Sequence, residues 1–180
     1  SPPPLMARAG LAAAEIARDL SPDDGSSILV LAGPGNNGGD AFIAATQLKA
    51  WWYKVVVVYI GCPDQLSADA RAAYQAWIDA GGACLDAIPA HSRWGLVIDG
   101  LFGIGLTRAL EGAYAELVKQ ANDLNVAMLA LDIPSGLHAD SGHAMGPVIR
   151  AAHTVTFLAL KPGLLTGDGP DHCGNIWLRT

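Results

Sequence analysis

Residues Lys54 to Ile60 read Lys-Val-Val-Val-Val-Tyr-Ile. Adjacent β-branched residues favour an extended strand, and an apolar run without alternation belongs to a strand covered on both faces, the mark of a parallel sheet. Further strands are expected at 27–32, Leu96 to Ile98, Val126 to Leu131, Thr154 to Leu160 and 175–178, with a short one near Ala83-Cys84-Leu85. Between them lie helix-like stretches at 5–19, 39–51, 66–80 and 110–123. Leu5, Ala9, Ala12 and Ile16 form one stripe in the first. Phe42, Ile43, Thr46 and Leu48 are spaced to face a sheet in the second, and Gly81-Gly82 closes the third as a C-cap. Strands alternating with helices define an α/β layered fold with a mostly parallel sheet. A length of 180 residues, 51% of them hydrophobic, suits one domain over 1–180 with a substantial core. Pro2 to Pro4 read as an extended lead-in. The chain starts at Ser1 without a methionine and stops just after an apolar run, so a fragment or processed chain is expected.

In open parallel sheets, ligands bind beyond the carboxyl ends of the strands. Four unusual segments fall at such ends: Gly33–Asp40, Asp99–Gly105, Asp132–Gly136 and Lys161–Gly163. Parallel strands would open all four on one edge and gather Asp40, Asp99, Asp132 and Lys161 around one crevice. The first segment is the densest. Its four glycines remove Cβ atoms where a ligand could approach, and the free N–H groups opening the next helix favour an anion such as a phosphate. Asn36 and Asn37 add amide donors and acceptors. The plainer readings are local: Asp99 as a turn cap, Asp132 as an Asx-turn before Pro134, and Lys161 as a surface lysine.

Several function classes are disfavoured. A net charge of −6 and no basic stripe speak against broad nucleic-acid binding. No apolar run reaches transmembrane length, and Arg8, Glu15, Arg18 and Asp19 interrupt any signal-peptide layout. Cys62, Cys84 and Cys173 are widely spaced without C-x-x-C, which fits a reducing compartment and no structural zinc. Gly33-x-Gly35-x-x-Gly38 matches the dinucleotide fingerprint. The second strand, however, ends Tyr59-Ile60-Gly61 without the ribose-binding acid, and the nearest acid is Asp64, so an ordinary dehydrogenase is disfavoured. There is no G-x-S-x-G and no cysteine beside an activating group, which disfavours covalent catalysis, and no G-K-[ST], which excludes a P-loop. His138, Asp140 and His143 have metal-like spacing without a third strong ligand, and His91 and His172 read as loop residues. Trp51-Trp52 reads as a helix end packing on the sheet or a partner.

Taken together, Gly33-Pro34-Gly35-Asn36-Asn37-Gly38-Gly39-Asp40, Val97 to Leu106, Leu131-Asp132-Ile133-Pro134-Ser135-Gly136-Leu137, and Thr154 to Phe157 with Lys161-x-Gly163 resemble, in this order, the YjeF N-terminal domain family. Leu5 to Gly10 resembles the family's early helix, so the resemblance covers nearly the whole chain. It implies a Rossmann-like three-layer αβα sandwich and NAD(P)H-hydrate epimerase activity. That activity interconverts the R and S epimers of NADH or NADPH hydrated at C6, as cofactor repair, with a separate dehydratase consuming the S form. By resemblance, Asn36, Asn37, Gly38, Gly39 and Asp40 would hold the hydrate, together with Gly103, Ile104, Gly105, Leu106, Thr107, Arg108, Ala109 and Asp132. Asn37, Asp99 and Ser135 would bind a potassium ion, their amide, carboxylate and hydroxyl oxygens being the donors a hard cation prefers. C6 of the hydrate is a hemiaminal carbon. Asp132 is the expected acid/base at its oxygen, with Lys161 helping to set the charge.

The resemblance also implies a cytoplasmic homodimer and a dehydratase that is either fused or separate. The family usually has glycine where this chain has Ala41; a methyl group at the first helical turn is expected to be tolerated, the alternative being that it crowds the ligand. A non-catalytic scaffold module, as in RNA-processing assemblies, is the alternative. It would bring eroded polar motifs and a basic surface, whereas here the motifs are complete and the charge is acidic.

Overall fold

The sheet is built from β1 (Ser27–Ala32), β2 (Val55–Val58), β3 (Cys84–Leu85), β4 (Trp94–Gly100), β5 (Met128–Leu131), β6 (His153–Phe157) and β7 (Asn175–Arg179). The helices are α1 (Leu5–Leu20), α2 (Asn36–Ala50), α3 (Ala68–Asp79), α4 (Gly112–Asp123) and the short α5 (Gly169–Cys173). This computed structural model describes residues 4–180, so Pro2 and Pro3 of the expected lead-in lie outside the described residues. The strand order is β3-β2-β1-β4-β5-β6-β7, and every pairing is parallel. The sheet is thus parallel throughout, where the sequence promised only a mostly parallel one.

Both faces of the sheet are covered over its central strands, which is why those strands do not alternate, while β7 at one edge stays largely exposed. Ile28, Val30 and Ala32 pack with Ile16 of α1, Phe42 and Leu48 of α2 and Trp77 of α3. Leu29 and Leu31, one residue out of phase, pack with Leu117 and Val118 of α4 on the other face. The result is a three-layer sandwich with unequal outer layers. The crossover from β5 to β6 has no helix in its place. Pro134, Gly136, Gly142, Gly146 and Pro147 break any helical period there, and the segment folds around its own small core of Ile133, Leu137, Val148, Leu164 and Cys173. Trp51 is half-buried under the Arg18 guanidinium, 4.9 Å from its ring centre, while Trp52 is 94% exposed with φ at 70°. Only the first tryptophan packs the helix end.

The chain leaves β1 through α2 to β2 on one side, and β4 lies on the other. Successive connections therefore diverge between β1 and β4, which leaves a crevice at their carboxyl ends.

Candidate functional site

A cleft of about 680 Å³ occupies that crevice. The turn after β1 forms its first wall. A Cβ on Gly33 would fall 1.6 Å from the Leu101 carbonyl oxygen, and one on Gly38 would fall 1.9 Å from the Gly33 oxygen. Gly33 lets the turn pack on the backbone of Leu101, and Gly38 lets α2 settle directly on the turn, so the helix begins at Asn36, three residues before the sequence placed it. Gly35 differs, because a Cβ there would meet open space. It caps α2 without any side-chain hydrogen bond, so first-turn N–H groups stay free at the cleft beside Asn36 and Asn37.

The ends of β5 and β6 share an unusual backbone. Asp132 has φ at 69°, and Ile133 N–H donates to the Leu131 carbonyl at 2.9 Å across it. Leu158 has φ at 66°, and Ala159 N–H donates to the Phe157 carbonyl at 2.8 Å. Both are γ-turns in the left-handed region, strained for residues with a Cβ. Both centre on a residue that lines the cleft. The Lys161 ammonium braces the pair. It lies 2.5 Å from Asp132 Oδ1 and donates to Thr156 Oγ1 at 3.0 Å, to the Phe157 carbonyl at 2.8 Å and to the Ala159 carbonyl at 3.2 Å. Lys161 is therefore an internal counter-ion and no mere surface lysine. Asp40 enters the same cleft from α2. Burial, and next the charge of Asp132, push its carboxyl up to about 7.

Asp99 lies elsewhere than expected. β4 runs on to Gly100, so Asp99 is a strand residue, fully buried beneath the cleft. Its carboxylate accepts from Ser135 N–H at 2.8 Å, Ser135 Oγ at 2.6 Å and Leu101 N–H at 3.2 Å, and Ser135 Oγ accepts from Phe102 N–H at 2.9 Å. This network ties the β4 and β5 loops together. Burial raises the Asp99 carboxyl to about 6 against those hydrogen bonds, and among the described residues no basic side chain pairs with it. Nearby, Asn37 flanks Gly103, and its buried Nδ2 has no partner. A buried carboxylate without a counter-ion, a serine hydroxyl and an unpaired carboxamide, whose N and O ends are interchangeable by a flip, suit a cation with oxygen ligands.

Of the residues singled out from sequence, Asn36, Asn37, Asp40, Gly103, Ile104, Gly105, Leu106, Asp132 and Lys161 line the cleft. Gly38 and Gly39 stand behind its wall, Asp99 and Ser135 beneath it, and Thr107, Arg108 and Ala109 follow the loop past it. The Ala41 methyl is wholly buried, facing Gly100, and does not reach the cleft. Sequence reasoning missed the apolar wall: Leu5, Met6 and Ala9 from α1, and Phe157 and Leu158. Phe157 ends a strand and could have been found by that rule; nothing local marks the contribution of α1.

The sequence profile of the family described as YjeF-related protein N-terminus matches residues 3–163. The chain belongs to that family. A relative named NAD(P)H-hydrate epimerase, from Bordetella pertussis, is 48% identical over 178 residues, 97% of this chain and 77% of the relative. One from Achromobacter xylosoxidans with the same name is 48% identical over 94% of this chain and 82% of its own. The bifunctional NAD(P)H-hydrate repair enzyme Nnr of Escherichia coli is 40% identical over 96% of this chain, which spans 33% of that enzyme. The crystal structure of yeast ynu0 superposes with a TM-score of 0.75 at 23% identity, over 88% of this chain and 72% of that one, which shows a common fold. Among the described residues of this YjeF-family chain, no helix is long and apolar enough to cross a membrane.

Proposed function

We propose that this chain is an NAD(P)H-hydrate epimerase. The observation that carries the reading is the Asp132–Lys161 pair, 2.5 Å apart in the wall of the cleft, in a chain 48% identical to proteins bearing that name. C6 of the hydrate bears both a hydroxyl and the ring nitrogen. Inverting it requires a proton moved at the hydroxyl oxygen, which a fixed carboxylate does. The γ-turn fixes the Asp132 backbone and Lys161 fixes its carboxylate, so little reorganisation is needed when the hydroxyl arrives. The free first-turn N–H groups of α2, with Asn36, receive the anionic part of the dinucleotide, and the wall of Leu5, Met6, Phe157 and Leu158 receives apolar ring surface.

Asn37, Asp99 and Ser135 would hold a potassium ion, which when bound supplies a fixed positive charge under the cleft. The reading extends to a cytoplasmic homodimer, with the exposed Trp52 as a contact, and to a dehydratase that is fused or separate. The intact polar cluster supports an enzyme over a scaffold. In the decisive assay, purified hydrates are incubated with protein and the epimers separated by chromatography. Asp132→Asn is expected to slow R/S interconversion by about a hundredfold or more, net of the uncatalysed rate. Undiminished interconversion removes Asp132 from the chemistry.

A further inference from the structure

We propose that Asp40 is a second catalytic residue of this site, the acid that gives a proton to the ring nitrogen while Asp132 takes one from the C6 hydroxyl. The proposal rests on the epimerase reading. Asp40 lines the same cleft as Asp132 but arrives on a different element, α2. Among the described residues its carboxyl forms no ion pair, and no side chain hydrogen-bonds to it.

The charged groups facing it are few. They are Asp69 from α3, Asp132 at the end of β5 and Lys161 beyond β6, while α1 presents only Leu5, Met6 and Ala9 to the cleft. The single cation among them is already committed to Asp132, Thr156 and two carbonyls. Asp132 thus has a counter-ion, whereas Asp40 has a neighbouring carboxylate and low solvent access. The two oxygen acids are set in opposite environments, one suited to accept a proton and one to keep it, the arrangement that divides base from acid in paired-carboxylate enzymes. The upward shift of Asp40 to about 7 agrees with that division.

The division selects a chemical route. A carboxylate at the hydroxyl is a base there, so the O–H proton moves to Asp132 and the oxygen's electrons form a C6=O bond. The C6–N1 bond breaks, its electron pair goes to N1, and Asp40 supplies the proton that N1 takes up. Rotation about C5–C6 presents the other face of the aldehyde. N1 then attacks C6 and returns its proton to Asp40, while Asp132 returns its own to oxygen. Both side chains finish as they began, and no oxidant, reductant or added water is consumed.

The test pairs Asp40→Asn with the wild-type pH profile of kcat/KM, measured on purified R hydrate and corrected for spontaneous epimerisation. A required acid makes wild-type kcat/KM, which reports the free protein's ionisations, fall as pH rises through about 7. Asp40→Asn is expected to lower kcat/KM about a hundredfold and erase that alkaline limb. A wild-type profile flat from pH 6 to 8 overturns the proposal without any variant. Retention of both the rate and the alkaline limb in Asp40→Asn also overturns it, while leaving the epimerase reading standing. If the wild type does not interconvert the epimers at any pH, the reading itself fails and takes the proposal with it.

Discussion

Asp132 and Asp40 carry the same carboxyl group, and their surroundings make them different reagents. Folding raises Asp40 from its ordinary 3.8 to about 7, so the folded chain binds that proton more tightly than the unfolded one. The stability this contributes is full below about pH 4 and is lost as pH climbs through about 7. At pH 8 the part-buried charge opposes folding. Asp40→Asn is therefore expected to raise the urea midpoint at pH 8 and to change it little at pH 5. Equal midpoints of variant and wild type at pH 8 would count against a part-buried, unpaired carboxylate. The sequence marked Asp40, Asp132 and Lys161 as strand-end or turn residues, and the family resemblance made Asp132 the acid/base, but neither gave Asp40 a proton to carry. The division of roles depends on a lysine 29 positions from its aspartate closing on it in space.

The junction of β1 and α2 shows how a motif can mix two causes. Gly38 serves contact between helix and turn, Gly33 serves contact between the turn and Leu101 after β4, and Gly35 borders the cleft. A methyl on Gly38 would stand 1.9 Å from a carbonyl oxygen, so α2 would have to lift off the turn. Gly38→Ala is expected to cost about 1–3 kcal/mol and to weaken dinucleotide binding. Gly35→Ala is expected to leave the unfolding midpoint nearly unchanged and to weaken binding alone. Titration calorimetry with NADP⁺ beside thermal melts separates the two. From sequence these glycines look alike, because spacing records where Cβ is missing and not which neighbour required its absence. Likewise, the expected α2 start near residue 39 missed a first turn made of poor helix formers, Asn36, Asn37 and Gly38, which tertiary packing holds in place.

The alternation of apolar runs and helical stretches made the layered architecture legible, and the strand-end rule placed the cleft correctly. The helix-free β5–β6 crossover was less legible, since a compact irregular segment has no period to read. The network of Asp99 and Ser135 joins the end of β4 to the loop after β5; the family resemblance brought these residues together, but nothing in the sequence showed the direct hydrogen bonds between them. If a potassium ion sits there, it binds the folded chain and not the unfolded one. A tenfold excess over its dissociation constant then stabilises by about 1.4 kcal/mol, or about 4 °C in Tm for a chain of this size. Melts in potassium and sodium chloride at equal ionic strength are expected to differ by that order, and Ser135→Ala to abolish the difference. Identical melts in the two salts remove the ion from Asn37, Asp99 and Ser135.

The left-handed backbone at Asp132 restricts the routes by which descendants of this protein can lose their chemistry. Aspartate, asparagine and glycine tolerate a positive φ far better than β-branched residues do. A lineage released from selection for turnover can therefore discard the carboxylate most cheaply through asparagine or glycine, keeping the shell of the molecule intact. Inactive cousins would be recognised by that one exchange on an otherwise undamaged framework.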